Sequence, residues 1–135
     1  MKKNTVLIVF LSFTLLLVSC NKEEPLPTKV EFTTNLNNNN LIVGEGFRVY
    51  LNDVKGEFLA YFKGDSPESS WPDGFGKTFE INESESSSEP DSISISAYNE
   101  AGTYTFTIVA TSYGNWGETM EQAFQSIEIS VADAK

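Results

Sequence analysis

The chain has 135 residues, with 19 acidic side chains against 9 basic, a formal net charge of −10, no histidine and a single cysteine. That balance weighs against nucleic acid as a partner, because phosphate binding needs a basic face. The residue counts also remove a disulfide framework, the preferred ligands of a zinc centre and a histidine-activated nucleophile, so the chain is expected not to be an enzyme.

In chain order, Lys2 and Lys3 precede an apolar run from Val6 to Val18, broken only by Ser12 and Thr14. A spanning helix needs about 20 apolar residues, so this run is too short for a permanent anchor and reads as a signal peptide. The stretch Leu17-Val18-Ser19-Cys20 resembles the lipobox of bacterial lipoproteins. The resemblance implies diacylglycerol on the Cys20 sulfur, cleavage just before Cys20 and acylation of the new N-terminus. The expected division is a signal peptide over 1–19, a lipidated tether over 20–29 and one domain over 30–132. Lys2 and Lys3 leave with the signal peptide, so the mature chain carries seven basic and nineteen acidic residues, a net charge of −12. Asn21-Lys22-Glu23-Glu24 resembles the short Lys-plus-acidic signal of one bacterial phylum that displays lipoproteins outside its outer membrane. It implies an outer-membrane protein facing the cell surface. The two prolines and four charges of NKEEPLPTK predict an extended tether that lifts the domain off the membrane.

The mature length suits one domain with its own hydrophobic core. Seven short strands are predicted: Val30–Thr33, Phe47–Leu51, Phe58–Phe62, Thr78–Ile81, Ser92–Ala97, Gly102–Tyr113 and about Ala123–Val131. Phe47, Val49 and Leu51 share one face, as do Tyr104, Phe106, Ile108 and Ala110, the alternation that a half-buried strand requires. The run Asn37–Asn40 is expected to be a polar loop, and Asn52–Gly56 a turn. Residues 82–91, NESESSSEPD, are acidic, serine-rich and without apolar residues, the composition of a segment that does not pack. The apolar positions of the last strand change parity between Phe124 and Ile127, which predicts a bulge. With turn signals at these intervals and no helical period, the pattern is that of an all-β sandwich, a small closed barrel being the alternative.

Glu100-Ala101-Gly102-Thr103-Tyr104-Thr105-Phe106 resembles the acidic-x-Gly-x-Tyr-x-apolar signature of immunoglobulin-like domains. The resemblance implies that the Tyr104 hydroxyl ties back to the backbone at the preceding corner, and that Phe106 stands where antibody domains place a cysteine. The run Gly102–Thr111 and the segment Tyr61-Phe62-Lys63-Gly64-Asp65-Ser66 are similar to motifs of the PKD-like branch, although Lys63 and Ser66 depart from its pattern. PKD-like domains are mostly non-catalytic extracellular modules for spacing and for protein or carbohydrate contacts.

Four features carry candidate chemistry. Trp116, in Tyr113-Gly114-Asn115-Trp116-Gly117, is placed at a hairpin tip, where it either stacks on a ligand with Tyr113 and Asn115 beside it or folds back over the sandwich end. Trp71 belongs to a loop expected at the opposite end, so the two tryptophans form no common platform. Asp65 and Asp73, with Glu68 and the Glu83–Asp91 segment, offer oxygen ligands of the hardness calcium takes, though without EF-hand spacing. Asp91-Ser92-Ile93 resembles the three-residue O-glycosylation site of the same phylum, with Ser92 as acceptor. The reading is a lipid-anchored surface lipoprotein that binds or assembles, with polysaccharide or an envelope protein as partner. The alternative is a structural accessory subunit that contacts only another envelope protein.

Overall fold

The computed structural model describes residues 23–81 and 90–135; the expected signal peptide, the expected lipidation site Cys20 and most of the acidic serine segment lie outside the described residues. Among the described residues eight strands form, one more than expected: β1 (Lys29–Thr34), β2 (Asn40–Ile42), β3 (Phe47–Lys55), β4 (Phe58–Phe62), β5 (Lys77–Phe79), β6 (Asp91–Ile95), β7 (Gly102–Gly114) and β8 (Thr119–Ala132). They make two sheets, one of three strands in the order β1-β3-β6 and one of five in the order β2-β8-β7-β4-β5. The inner faces supply one core, as the alternation in β3 and β7 requires.

Phe106 is the centre of that core. It is fully buried, with the rings of Phe47, Phe32 and Tyr61 at centroid distances of 5.4, 5.8 and 5.8 Å. Phe47 and Phe32 come from the three-stranded sheet and Tyr61 from the five-stranded one, so one side chain joins the two layers. At the corner before β7, the Tyr104 hydroxyl donates to the Glu100 carbonyl at 2.9 Å, and its ring stacks on Tyr98 at 4.5 Å.

Three expectations are corrected. First, the asparagine run is not only a loop. Asn38 and Asn39 hold left-handed φ values of 51° and 57°, which asparagine tolerates better than most residues. That tight turn delivers Asn40 into β2, which runs parallel to the end of β8. Second, Asn52–Lys55 is strand rather than turn. Lys29, Val30 and Glu31 of β1 pair with Lys55, Val54 and Asp53, and the Lys29 ammonium meets the Asp53 carboxylate at 2.6 Å. The chain turns only at Gly56 and Glu57. Third, β7 and β8 pair without a register break from Gly102↔Val131 to Gly114↔Thr119, so there is no bulge in β8. Phe124 and Ile127 face opposite sides of the sheet. The inward place between Ala123 and Ile127 belongs to Gln125, whose amide accepts from the Phe32 N–H at 2.9 Å and donates to the Phe32 carbonyl at 3.2 Å. A side chain thus pairs with the free edge of β1, where a bulge lies between Glu31 and Phe32, and blunts an edge that would otherwise stay open.

Candidate functional site

Three pieces of chain meet at one end of the sandwich: the β3–β4 turn, the β7–β8 hairpin and the segment leading into β1. A Cβ on Gly56 would lie 2.9 Å from the Ala110 Cβ, so glycine lets the turn close onto β7. Glu57 then holds the hairpin base, its N–H donating to Ser112 Oγ at 3.2 Å while its carboxylate accepts from the Tyr113 N–H at 2.7 Å. The incoming segment is docked as well. A Cβ on Gly114 would collide with the Glu23 carbonyl oxygen and lie 2.6 Å from the Pro25 nitrogen. Leu26 and Pro27 line a recess with Val54, Leu59 and Phe79. The Thr28 N–H and hydroxyl both donate to the Glu121 carboxylate at 3.2 Å. Residues 23–28 of the expected tether therefore lie along the domain, and the free length available to lift it off a membrane is shorter than composition alone suggested.

The hairpin tip is a single turn, Asn115–Gly117, in which Asn115, Trp116 and Gly117 all have left-handed φ, 51°, 60° and 92°. For a side chain as bulky as tryptophan that conformation is uncommon and costs on the order of 1–3 kcal/mol. The Asn115 amide donates to the Glu118 carboxylate and closes the turn. Trp116 is 100 % exposed, so it does not fold back over the sandwich end. Behind it on the outer face stand Tyr113 and Met120, paired across β7 and β8, and Phe58, whose ring meets Tyr113 edge-on at 5.7 Å. All three are substantially exposed. Of the three residues expected to form a ligand site, Trp116 projects freely, Tyr113 packs against Phe58, and the Asn115 amide is already committed to Glu118.

Trp71 is elsewhere, as expected. It packs on Phe62 at 5.1 Å and on Phe124 at 5.9 Å, over the outer face of the five-stranded sheet. Phe124 is five strand positions from the hairpin end of β8, about 17 Å at 3.4 Å per residue. Nearby Gly76 sits so close over Phe62 and Ala60 that a Cβ would come within 2.7 Å of the Phe62 ring. Phe75 beside it is exposed. Sequence reasoning missed this Trp71–Phe124 surface, because the parity change between Phe124 and Ile127 was read as a bulge; the unbroken alternation of Ala123, Gln125, Ile127, Ile129 and Val131 was the available signal.

Of the two aspartates expected to offer calcium ligands, Asp65 is engaged within the fold and Asp73 is exposed. Asp65 accepts from Ser69 Oγ at 2.7 Å and pairs with Lys63 at 2.9 Å. Lys63 in turn donates to the Ala97 carbonyl at 2.5 Å and lies 4.6 Å over the Tyr98 ring, while the Tyr98 hydroxyl donates to the Lys63 carbonyl at 2.8 Å. This network ties the β4 exit to the corner before β7. Asp73 lies exposed in the loop after Trp71. Among the described residues no group of three carboxylates gathers in the manner a metal ion needs. Ser92 is exposed on β6, at the edge of the three-stranded sheet, opposite Tyr50.

Burial alone would raise the Asp65 pKa, but donation from Ser69 and Lys63 and the Lys63 charge outweigh it, and the group is held below its usual 3.8. A carboxyl depressed on folding contributes stability above its unfolded value and loses it as pH falls through the folded value. Asp65→Asn is therefore expected to melt below the wild type at pH 7. The gap should narrow below about pH 4. Thermal melts of both proteins from pH 7 to pH 3 check this; a gap independent of pH would remove the charge of Asp65 from the explanation.

No family model matches the chain, and no curated protein and no solved structure matches it. Among the described residues no helix is long and apolar enough to cross a membrane.

Proposed function

We propose that this protein is a lipid-anchored lipoprotein of the bacterial outer membrane, facing the cell surface, with an immunoglobulin-like, PKD-like sandwich that binds or assembles without enzymatic chemistry. The observation that carries the reading is Cys20: the only cysteine of the chain closes a Leu-Val-Ser-Cys run directly behind a short apolar segment. The sandwich type is supported by strand order. The orders β1-β3-β6 and β8-β7-β4 are similar to the A-B-E and G-F-C orders of an immunoglobulin-like sandwich. It is supported too by the Tyr104 hydroxyl bonded to a carbonyl four residues upstream, the arrangement of a tyrosine corner.

The partner-facing surface in this reading is the outer face around Trp71, Phe75 and Phe124, which is aromatic, partly open and away from the incoming tether. Aromatic rings of that kind stack on sugars or anchor a protein. Ser92, exposed on an edge strand, is the proposed O-glycan acceptor. Placing a photo-crosslinking residue at position 124 and irradiating intact cells tests the assignment. Capture of an envelope protein identifies an assembly subunit. Retardation of the domain in polysaccharide gels, lost in Phe124→Ala, identifies a glycan-binding module. The absence of both adduct and retardation would refute this face as the binding surface.

A further inference from the structure

The apolar residues at the tether end have no role in that partner surface. Four exposed side chains, Phe58, Tyr113, Trp116 and Met120, share the hairpin end of the outer face, and Trp116 projects beyond them. An isolated exposed apolar residue needs no explanation, but a fully exposed tryptophan held outward by three successive left-handed residues does. Its surroundings say what it meets. The chain leading to Cys20 passes over Gly114, two residues before Trp116, with the Glu23 carbonyl and the Pro25 nitrogen against that glycine. Cys20 lies only three positions before Glu23, a reach of about 10 Å when fully extended. Lipid chains on Cys20 therefore hold the hairpin tip within about that distance of the bilayer surface.

From this placement we infer that the β7–β8 hairpin is a membrane foot, with Trp116 seated in the headgroup layer of the leaflet that holds the Cys20 lipids and Tyr113, Phe58 and Met120 bordering the contact. The inference rests on the lipid-anchor reading above. The residue chemistry fits: tryptophan and tyrosine have an apolar body and a polar edge, and they concentrate at membrane–water interfaces. The carboxylates of Glu23, Glu24, Glu57, Glu118 and Glu121 surround the same end. They oppose deep insertion and contact with anionic headgroups, so the seat is shallow and suits a zwitterionic surface. With two points of attachment, lipid and hairpin, the sandwich holds one orientation, and the Trp71–Phe124 face is carried beside the membrane rather than against it.

The test uses the full-length lipidated protein in phosphatidylcholine vesicles whose acyl chains carry bromine, a short-range quencher of tryptophan. In a Trp71→Phe background Trp116 is the only reporter. Should that background fail to fold, the difference between wild type and Trp116→Ala gives the same signal, since Trp116 makes no part of the core. The expected result is Trp116 emission blue-shifted from its aqueous position and weaker in brominated than in unbrominated vesicles. Protein that floats with the vesicles, yet keeps aqueous Trp116 emission without quenching, would overturn the foot while leaving the lipid anchor intact. Protein that does not float at all would overturn both.

Discussion

Phe106→Ala is expected to cost the domain about 3–5 kcal/mol, the range for removing a fully buried phenylalanine. Phe106 is 0 % exposed and touches three aromatic rings from both sheets, and each such ring pair adds about 0.5–1.5 kcal/mol beyond area burial. The cavity would open between layers that no intrachain disulfide holds, because the chain has a single cysteine. Against a total stability of about 5–15 kcal/mol for a domain of this kind, the loss is large enough to bring unfolding within reach of growth temperature. Urea titration of the wild type, Phe106→Leu and Phe106→Ala measures it, with the leucine variant expected between the other two. A loss below about 1 kcal/mol in the alanine variant would mean that the sheets are held elsewhere.

The other large effect concerns location. Cys20→Ala is expected to move the protein out of the membrane fraction entirely. Each buried methylene contributes about 0.8 kcal/mol, so one acyl chain binds marginally and several bind firmly. The hairpin tip offers one tryptophan and three flanking residues inside a ring of carboxylates, which supports an orientation but is too little to retain so acidic a protein without the proposed lipid. Fractionation of cells expressing wild type and Cys20→Ala reads the effect directly. A variant that stays with the membrane would show that something other than the cysteine holds the chain there.

The parts of this structure that were legible in the sequence are those where alternation is long and unmixed. β7 alternates threonines with apolar residues from Thr103 to Thr111, with Val109 the one exception, and β3 begins with apolar residues at every second position, so both were visible. Tyr104 was legible because a tyrosine corner depends on residues close in sequence. Where the reading failed, long-range pairing decided the outcome. β2 has three residues and one buried apolar side chain, Leu41, too few to show a period, and it exists because the end of β8 offers it an edge. Asn52–Lys55 has the composition of a turn, yet β1 lies alongside and an ion pair from Lys29 steadies it. Gln125 occupies an inward position that a sequence pattern assigns to an apolar residue, and the inter-sheet bonds to Phe32 that explain it join residues 93 apart. For the candidate site, the place of Trp116 at a hairpin tip was legible, but its full exposure was not, because the residues around it allow the ring either to project or to fold back over the sandwich end. The docking of the tether against Gly114 did not, because nothing local in Glu23–Pro25 announces it.

The central claim is that Cys20 is the lipidated first residue of the mature protein, and the intact mass of the protein extracted from bacterial membranes tests it most directly. The account predicts a chain beginning at Cys20 and carrying the added mass of a diacylglycerol thioether and an N-acyl group, removable in part by mild alkali that cleaves the ester-linked chains. A chain with a free Cys20 thiol, whether residues 1–19 are kept or lost, would contradict it.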